Sequence, residues 1–261
     1  MGSQVDAYKF LETKYFGEEM QERDEIKRLP QLLKNVTVFV DVGASFGQYT
    51  YFANTILKSA KLFCIEADPM RVPRLKELAS EWEKTSSNQI SVVHAAVAER
   101  NGKVDFFTTN SNISGGLFAN PVDERGLPAP ICRTKVEVDC VSLDAVLKDS
   151  RPDFVKIDVE GAEYSVLLGA QGILREGKCR FFIEVHPWGD ERARKKPADV
   201  FRLLAQFGYD FRRVHRHWLF EKSGGPVKRY IKNKTIVFIM EHLWLKAMLK
   251  KCILAVTSNR R

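Results

Sequence analysis

The stretch VTVFVDVGASFGQYT, residues 36–50, constrains the fold of this chain more than any other part of it. β-forming residues lead into Asp41, after which Gly43, Ser45 and Gly47 follow at two-residue steps and a helical pattern begins. This order predicts a buried parallel strand, a tight turn and the N-terminus of a helix. Glycine lets the backbone approach a ligand closely, and a helix N-terminus presents unpaired N–H groups. The stretch therefore predicts a binding site for a nucleotide-type cofactor.

Strand and helix patterns alternate from residue 36 onward, which predicts an α/β protein. Strands are predicted at 36–42, 61–67, 90–97, 154–161, 179–187, 211–220 and 234–240, and helices at 47–58, 69–84, 162–175 and 197–207. Such alternation is typical of a mostly parallel sheet with helices on both faces, here ending in an antiparallel pair made by the last two strands. Residues 103–107 and 136–143 are predicted as strands outside this repeat, and Asn101-Gly102 predicts a hairpin between 90–97 and 103–107.

The chain divides into three predicted parts. Residues 1–35 are expected to form an N-terminal helical segment, 36–241 a single cofactor-binding domain, and 242–261 a basic amphipathic tail. The segment 108–131 has no periodicity, and a loop of that length in a compact domain is usually functional.

Composition limits the classes of partner and compartment. The formal net charge of +8 leaves an anionic membrane surface or a polyanion open as partner. Nucleic acid is not expected, because the basic residues are not interleaved with stacking aromatic residues. The five scattered cysteines form no C-x-x-C pair and indicate reduced thiols. We expect a cytoplasmic protein whose tail packs within the protein or a homodimer, or lies on the inner face of a membrane.

The glycine spacing separates two kinds of cofactor. The turn from Gly43 to Gly47 lacks the third glycine of the G-x-G-x-x-G dinucleotide motif. Asp41 would repel a pyrophosphate and attract an ammonium group. Glu66 follows about 20 residues later, where a carboxylate accepts hydrogen bonds from a ribose diol. S-adenosylmethionine (SAM) has an ammonium group, a sulfonium and a ribose but no phosphate, so these residues favour SAM over NAD.

Four ionisable side chains follow two strands that are expected to be neighbours. Asp158 and Glu160 belong to the predicted strand 154–161 and Glu184 and His186 to the next, 179–187, each pair two residues apart and so on one face. We expect all four to converge beside the cofactor and to supply a general base for methyl transfer. Two alternatives stay open: a structural role, including a buried pair between Lys156 and Glu184, and a Mg²⁺ site, which the ligand types allow but which is not expected.

Seven segments in order along residues 36–187 resemble the FkbM-type class I methyltransferases. They are VFVDVGASFGQYT, FCIEADP, VVHAAVAERNGKVDFF, NISGG, VDCVSLDAVL, FVKIDVEGAEYSVLLGA and FFIEVHP. The resemblance implies a Rossmann-like class I methyltransferase fold with a seven-stranded sheet. It also implies that residues from the first turn contact the methionine end of SAM and that Glu66 binds the ribose. Residues 67–68 and 94–97 would flank the adenine, and the loop around Ser114 would cover the cofactor. The implied cofactor-binding residues are Asp41, Gly43, Ala44, Ser45, Gly47, Gln48, Tyr49, Glu66, Ala67, Asp68, Ala95, Ala96, Ser114 and Asp158.

The predicted function is that of a SAM-dependent O-methyltransferase (EC 2.1.1.-). It would transfer a methyl group by in-line displacement, with general-base assistance, to a hydroxyl of a sugar, a glycan or another small metabolite. Two alternatives stay open at this point: methylation of RNA, and a non-catalytic membrane-surface or scaffold protein that keeps the fold.

Overall fold

The computed structural model of the chain describes residues 23–109, 133–190 and 192–222. The strands are β1 (Val38–Val42), β2 (Lys61–Glu66), β3 (Gln89–His94), β4 (Ala96–Val97), β5 (Gly102–Thr109), β6 (Arg133–Val141), β7 (Phe154–Ile157), β8 (Arg180–Glu184), β9 (Asp210–Val214) and β10 (His217–Glu221). The helices are α1 (Arg23–Ile26), α2 (Leu29–Leu32), α3 (Gln48–Ile56), α4 (Val72–Glu83), α5 (Leu143–Val146), α6 (Glu163–Leu168), α7 (Gln171–Glu176) and α8 (Pro197–Gln206). None of these helices is long and apolar enough to cross a lipid bilayer.

The main sheet has seven strands in the order β3-β2-β1-β7-β8-β10-β9. The first five run parallel, and β10 lies antiparallel to both β8 and β9. This arrangement confirms the predicted α/β fold with a mostly parallel seven-stranded sheet and an antiparallel terminal pair. The chain moves outward from β1 to β3 and later returns to place β7 on the other side of β1. The carboxyl ends of β1 and β7 therefore form the switch point at which open sheets bind ligands.

The terminal pair is built from different residues than the sequence predicted. The segment 211–220 was predicted as one strand, but it folds back on itself as β9 and β10. The turn between them contains His215, which has a left-handed backbone with φ of 54°. The second predicted strand, 234–240, lies outside the described residues, as does the predicted tail 242–261.

A second, three-stranded sheet has the order β4-β6-β5. It confirms that 136–143 lies outside the main repeat, but the predicted hairpin between 90–97 and 103–107 is wrong, because β6 lies between β4 and β5. The predicted strand 90–97 breaks at Ala95, whose N–H still bonds to the carbonyl of Glu66 at 3.1 Å. The next two residues, β4, leave the main sheet and pair with β6 instead.

Two apolar clusters fill the space on either side of the main sheet. Alternate residues of one strand face opposite clusters, so that Phe39 packs toward α3 and α4 while Val40 packs toward α6, α7 and α8. Leu29 of α2 belongs to the first cluster, which places this part of the predicted N-terminal segment in the same core as the sheet. The cysteines in the described ranges are buried and free, as predicted: Cys64, Cys140 and Cys179.

The predicted helix 162–175 is divided into α6 and α7 at Gly169-Ala170. A Cβ at Gly169 would lie 2.1 Å from the carbonyl oxygen of Ala98, so the chain passes the end of β4 too closely for a side chain there. The contact explains the break and fixes β4 against the helical layer.

Candidate functional site

An open cavity of about 640 Å³ lies at the carboxyl ends of β1, β2 and β7. One side is lined by the turn after β1, by Glu66 and by the small residues Ala67, Ala95 and Ala96. The other side is lined by residues that follow β7, including Asp158 and Glu160. The cavity thus lies at the switch point between β1 and β7 and joins the two groups of residues that the sequence singled out.

The turn after β1 is pressed against the end of β7. Gly43 has φ of 74°, and a Cβ there would lie 1.9 Å from the carbonyl oxygen of Asp158. The next residues, Ala44 and Ser45, continue the turn, and Ser45 itself has a left-handed backbone. A side chain at Gly47 would meet Leu75 of α4 and the Trp82 ring. Gly43 therefore permits the turn to close over β7, whereas Gly47 permits α3 to pack against α4.

Glu66 ties the turns that follow β1 and β2 together. One carboxylate oxygen accepts the Ser45 N–H at 2.6 Å, and the other accepts the Asp68 N–H at 2.8 Å. The side chain is 7 % exposed, and this burial raises the pKa of Glu66 despite the two backbone hydrogen bonds and the charge of Arg71. Its position on the cavity wall is the one predicted for a carboxylate that binds a ribose.

Several predicted cofactor-binding residues lie behind the cavity wall and support it. Asp41 is fully buried because it points from β1 toward α3, where it accepts a hydrogen bond from Thr50 at 2.9 Å. Ala44 and Tyr49 are buried in the apolar cluster beneath α3. Gly47 and Gln48, the first residue of α3, do not line the cavity either. The structure thus places Asp41 behind the cavity wall, and its direct contact with the ammonium group of SAM stays a prediction.

A buried lysine connects Asp41 to the wall. Lys156 Nζ lies 3.2 Å from Asp41 Oδ1 and 3.6 Å from Asp158 Oδ2, and it donates to the carbonyl oxygen of Gly43 at 3.1 Å. Its side chain is only 4 % exposed. One cation therefore holds the strand β1, the turn that follows it and the first acidic residue after β7.

On the predicted adenine side, Ala67, Ala95 and Ala96 line the cavity, and Asp68 does not. Asp68 is 1 % exposed and accepts hydrogen bonds from the Met70 N–H at 3.0 Å and the Thr108 hydroxyl at 2.7 Å. It shapes the turn after β2. Ser114 lies outside the described residues.

A carboxylate–histidine cluster, consisting of Asp158, Glu160, Glu163 and His186, lies at the opposite wall, where Asp158 and Glu160 line the cavity and the side chains of His186 and Glu163 are buried. Nε2 of His186 lies 3.4 Å from Glu160 Oε2 and 3.8 Å from Asp158 Oδ1. Its Nδ1 lies 2.7 Å from Glu163 Oε1. The predicted strands 154–161 and 179–187 end earlier, at Ile157 and at Glu184, so Asp158, Glu160 and His186 come together from two loops and not from strand faces. Glu163 is the first residue of α6.

Electrostatics in the cluster favour a protonated imidazole. Burial alone would lower the pKa of His186, but the carboxylates of Glu163, Glu160 and Asp158 outweigh it and raise the pKa to about 10. Burial would raise the pKa of Asp158, but Lys156 and His186 are the leading charges that together hold it below its usual range. At neutral pH, and with no ligand bound, the imidazole is therefore a hydrogen-bond donor and not a base.

Glu184 is held apart from the cavity by a guanidinium group. Its Oε1 lies 2.9 Å from Arg216 Nη2 and 3.1 Å from Arg216 Nε. The sequence left open a pair between Glu184 and Lys156, but Glu184 lies with Arg216, and Lys156 lies with Asp41 and Asp158. Of the four predicted catalytic residues, Asp158, Glu160 and His186 thus come together, whereas Glu184 is already ion-paired.

The family profile described as the Methyltransferase FkbM domain matches residues 41–211, which covers this whole site. The chain belongs to the FkbM methyltransferase family. The match confirms the resemblance seen in the sequence and the class I methyltransferase fold.

Named methyltransferases are similar to this chain, although their sequence identity to it is low. The 2-O-methyltransferase NoeI of Sinorhizobium fredii is 26% identical over 156 residues, which are 55% of this chain and 60% of NoeI. The hexuronic acid methyltransferase AglP of Haloferax volcanii is 23% identical over 188 residues, 71% of this chain and 68% of AglP. The crystal structure of methyltransferase FkbM from Methylobacillus flagellatus is similar with a TM-score of 0.48 and 20% identity, covering 70% of this chain and 43% of that chain.

Two charged residues of the site are not among those predicted from the sequence. Glu163, 1 % exposed, holds His186, and its only signal was its spacing of three residues from Glu160 at a helix start. Arg71 lines the cavity, donates to the Ser45 hydroxyl, packs its guanidinium 4.9 Å from the Phe46 ring and lies 3.5 Å from Asp68. Its spacing of three residues from Asp68 could have indicated this ion pair.

Proposed function

We propose that this FkbM-family methyltransferase is SAM-dependent and methylates a hydroxyl group of a sugar or glycan. The observation that carries the proposal is one cavity with two different walls. The Gly43 turn, Glu66 and the alanines form a wall suited to a nucleoside, and Asp158 and Glu160, with His186 beside them, form a wall suited to proton transfer. The names of the relatives, a 2-O-methyltransferase and a hexuronic acid methyltransferase, support a sugar hydroxyl as acceptor.

The chemistry of SAM fits the first wall. Glu66 lies at the end of β2, where a carboxylate can bind the ribose diol, and the alanine side chains leave room for a flat apolar adenine. Around the cavity the carboxylates outnumber the nearby cations Lys156, His186 and Arg71, so the site attracts the ammonium and sulfonium groups of SAM. A pyrophosphate would be repelled by the same excess of negative charge.

In the proposed reaction the acceptor oxygen bonds to the methyl carbon while the carbon–sulfur bond of the sulfonium breaks. The products are a methyl ether, S-adenosylhomocysteine (SAH) and one proton. Alignment of the two reactants in a cavity can supply about 7–11 kcal/mol of the barrier. A positioned base that takes the proton adds roughly 10²–10⁴-fold.

Glu160 is the proposed base. Its side chain is 36% exposed at the cavity wall, so it can reach an acceptor. Asp158 is tied to Lys156, and Glu184 to Arg216. His186 lies next to Glu160 and holds its own proton at neutral pH, so it orients the Glu160 carboxylate.

The test has two stages, both with the full chain. Calorimetry with SAM and SAH comes first, and we expect binding with one site per chain. A screen for SAH release then compares neutral sugars, hexuronic acids and lipid-linked glycans with RNA. Methylation of a sugar hydroxyl is the expected result. Failure to bind SAM would overturn the enzymatic proposal, and activity only on RNA that falls steeply with salt would replace the acceptor.

A further inference from the structure

We propose that Asp158, Glu160 and His186 form a binding site for one divalent cation of the Mg²⁺ or Mn²⁺ type on the acceptor side of the cavity. Its role in catalysis rests on the proposed function, whereas the binding of the cation can be tested without it.

The three side chains are already spaced for one ion. One ligand atom from each, His186 Nε2 and a carboxylate oxygen of Asp158 and of Glu160, lies within 4.8 Å of the others. Ligands at the usual distance of about 2.1 Å from an octahedral ion are separated by roughly 3–4 Å. Small side-chain rotations would therefore bring the three atoms onto a common centre.

The histidine is prepared for such a role by its second ring nitrogen. His186 is 6 % exposed, and Glu163 fixes its Nδ1 at 2.7 Å, which directs Nε2 into the space between Asp158 and Glu160. There Nε2 is 3.4 and 3.8 Å from the two carboxylates, longer than a well-formed hydrogen bond. A carboxylate behind the histidine is the usual arrangement in metal sites, because it fixes the ring and raises its basicity.

Charge favours the same position. Asp41 and Asp158 share the ammonium group of Lys156, whereas Glu160 and Glu163 both lie against the imidazole of His186. Even a protonated imidazole leaves the group with an excess of negative charge, which a divalent cation in place of the Nε2 proton would reduce.

A neighbouring set of ligand types, Asp158 with Glu184 and His217, is less suited to a cation. Arg216 already binds Glu184 through two nitrogens, so a cation there would have to displace a guanidinium group. Asp158 directs Oδ2 toward Lys156 and Oδ1 toward His186. Oδ1 of Asp158 is therefore the oxygen that would bind the cation at the proposed site.

Such a cation would act on the acceptor. Three protein ligands leave coordination positions open, and Asp158 and Glu160 both line the cavity. A hydroxyl bound at one of these positions would have a lower pKa and a fixed direction of attack, and the Glu160 oxygen that does not hold the cation would still take its proton. The ligand set would thus select acceptors that present an oxygen pair, such as a vicinal diol of a sugar.

The test measures binding of Mn²⁺ to the EDTA-treated full chain by electron paramagnetic resonance, with Mg²⁺ as competitor and with and without SAH. We expect one Mn²⁺ per chain, displaced by Mg²⁺. Glu160→Gln removes a ligand, and Glu163→Gln removes the support of His186. Each is expected to weaken Mn²⁺ at least 10-fold. The matched control is Glu77→Gln, an exposed carboxylate on α4, which should leave the affinity unchanged. Melting curves show that each variant is folded.

The outcomes separate this inference from the proposed function. If no stoichiometric Mn²⁺ binds, or if Glu160→Gln binds it like the unchanged chain, the cation site is overturned. Sugar methylation that proceeds fully in EDTA would overturn it as well and would leave the proposed function intact. Stoichiometric Mn²⁺ lost in both variants, together with no methylation of any hydroxyl, would support the site and overturn the function.

Discussion

At the scale of single residues, the site depends on which partner each charged group has. Glu160 and Glu184 are both carboxylates near the end of the sheet, but Glu184 is bound by Arg216 and Glu160 is exposed to the cavity. Glu163 is buried, does not line the cavity and acts through His186. The chemical type of each residue could be read from the sequence, whereas its partner could not, because Arg216 and Glu163 are brought in by other elements.

The first prediction concerns Glu160→Gln. The amide keeps the size of the side chain but cannot accept the hydroxyl proton, so we expect kcat to fall by roughly 10²–10⁴-fold. The affinity for SAM, measured by calorimetry, should stay within about threefold. Glu77→Gln is the control and should retain full activity. Unchanged kcat in Glu160→Gln would show that another group takes the proton.

A second prediction concerns acid stability and Glu25, which lies in α1. Burial would raise the pKa of Glu25, but its contact with His217 and the Arg216 N–H, which donates to it at 2.8 Å, lower the pKa to about 2. A carboxyl group with a depressed pKa stabilises the fold above its unfolded value near 4.5, and this contribution is lost as the pH falls toward 2. The difference between the two pKa values corresponds to roughly 3 kcal/mol.

Urea unfolding at pH 7 and pH 3 measures this contribution. Glu25→Gln should be destabilised at pH 7, with a smaller difference from the unchanged chain at pH 3. The neighbouring exposed residue gives the control, Asp24→Asn, with little effect at either pH. An equal loss for Glu25→Gln at both values would show that packing, and not charge, is responsible.

At the scale of elements, the sequence predicted the parallel core well and the edges poorly. Strands β1, β2, β7 and β8 are short apolar runs, a pattern that indicates parallel strands buried on both faces. The Asn101-Gly102 turn was read correctly as a turn but not as a hairpin, because strand order depends on β6, which lies more than 30 residues later. The break at Gly169 was invisible because it comes from a contact with Ala98.

The third prediction tests the close contact between two of these elements. In Gly43→Ala the new Cβ would lie 1.9 Å from the Asp158 carbonyl oxygen, at a backbone φ of 74°. The turn must move away from β7, so we expect at least a 30-fold loss of SAM affinity and a lower melting temperature. Gly172→Ala in α7, where the nearest atoms belong to the Asp144 side chain at 3.1 Å, is the control and should bind SAM normally. Normal SAM binding by Gly43→Ala would contradict the proposed role of this turn.

At the scale of the whole molecule, the cavity lies between two apolar layers that share one sheet. The turn after β1 packs with one layer, and the loop after β7 packs with the other. The sequence predicted a site at the turn that follows β1, because the glycines of that turn let the backbone approach a ligand closely. It did not predict that Asp41 is enclosed, because this depends on Lys156, which reaches it from the adjacent strand.

A ligand that bridges both layers should stabilise the whole domain, which is the fourth prediction. SAH at 100 times its dissociation constant should contribute about 2.7 kcal/mol. For a domain of this size we expect a rise of about 5–10 °C in the melting temperature, measured by calorimetry. NAD at the same concentration should give no shift. A comparable shift with NAD would contradict the assignment of the methyl donor.

The backbone of Glu160 has φ of 55°, a conformation that glycine adopts freely and that costs other residues about 1–2 kcal/mol. Glycine, which has no carboxylate, is thus the residue that fits this backbone conformation with the least strain. A library at position 160 selected only for heat resistance should therefore yield glycine, and those heat-resistant variants should be inactive. A screen in which Glu160→Gly melts no higher than Glu160→Ala would show that the loop relieves this strain in another way. Thermal stability and catalytic activity therefore favour different residues at position 160, and directed evolution of the protein would have to select for both properties at once.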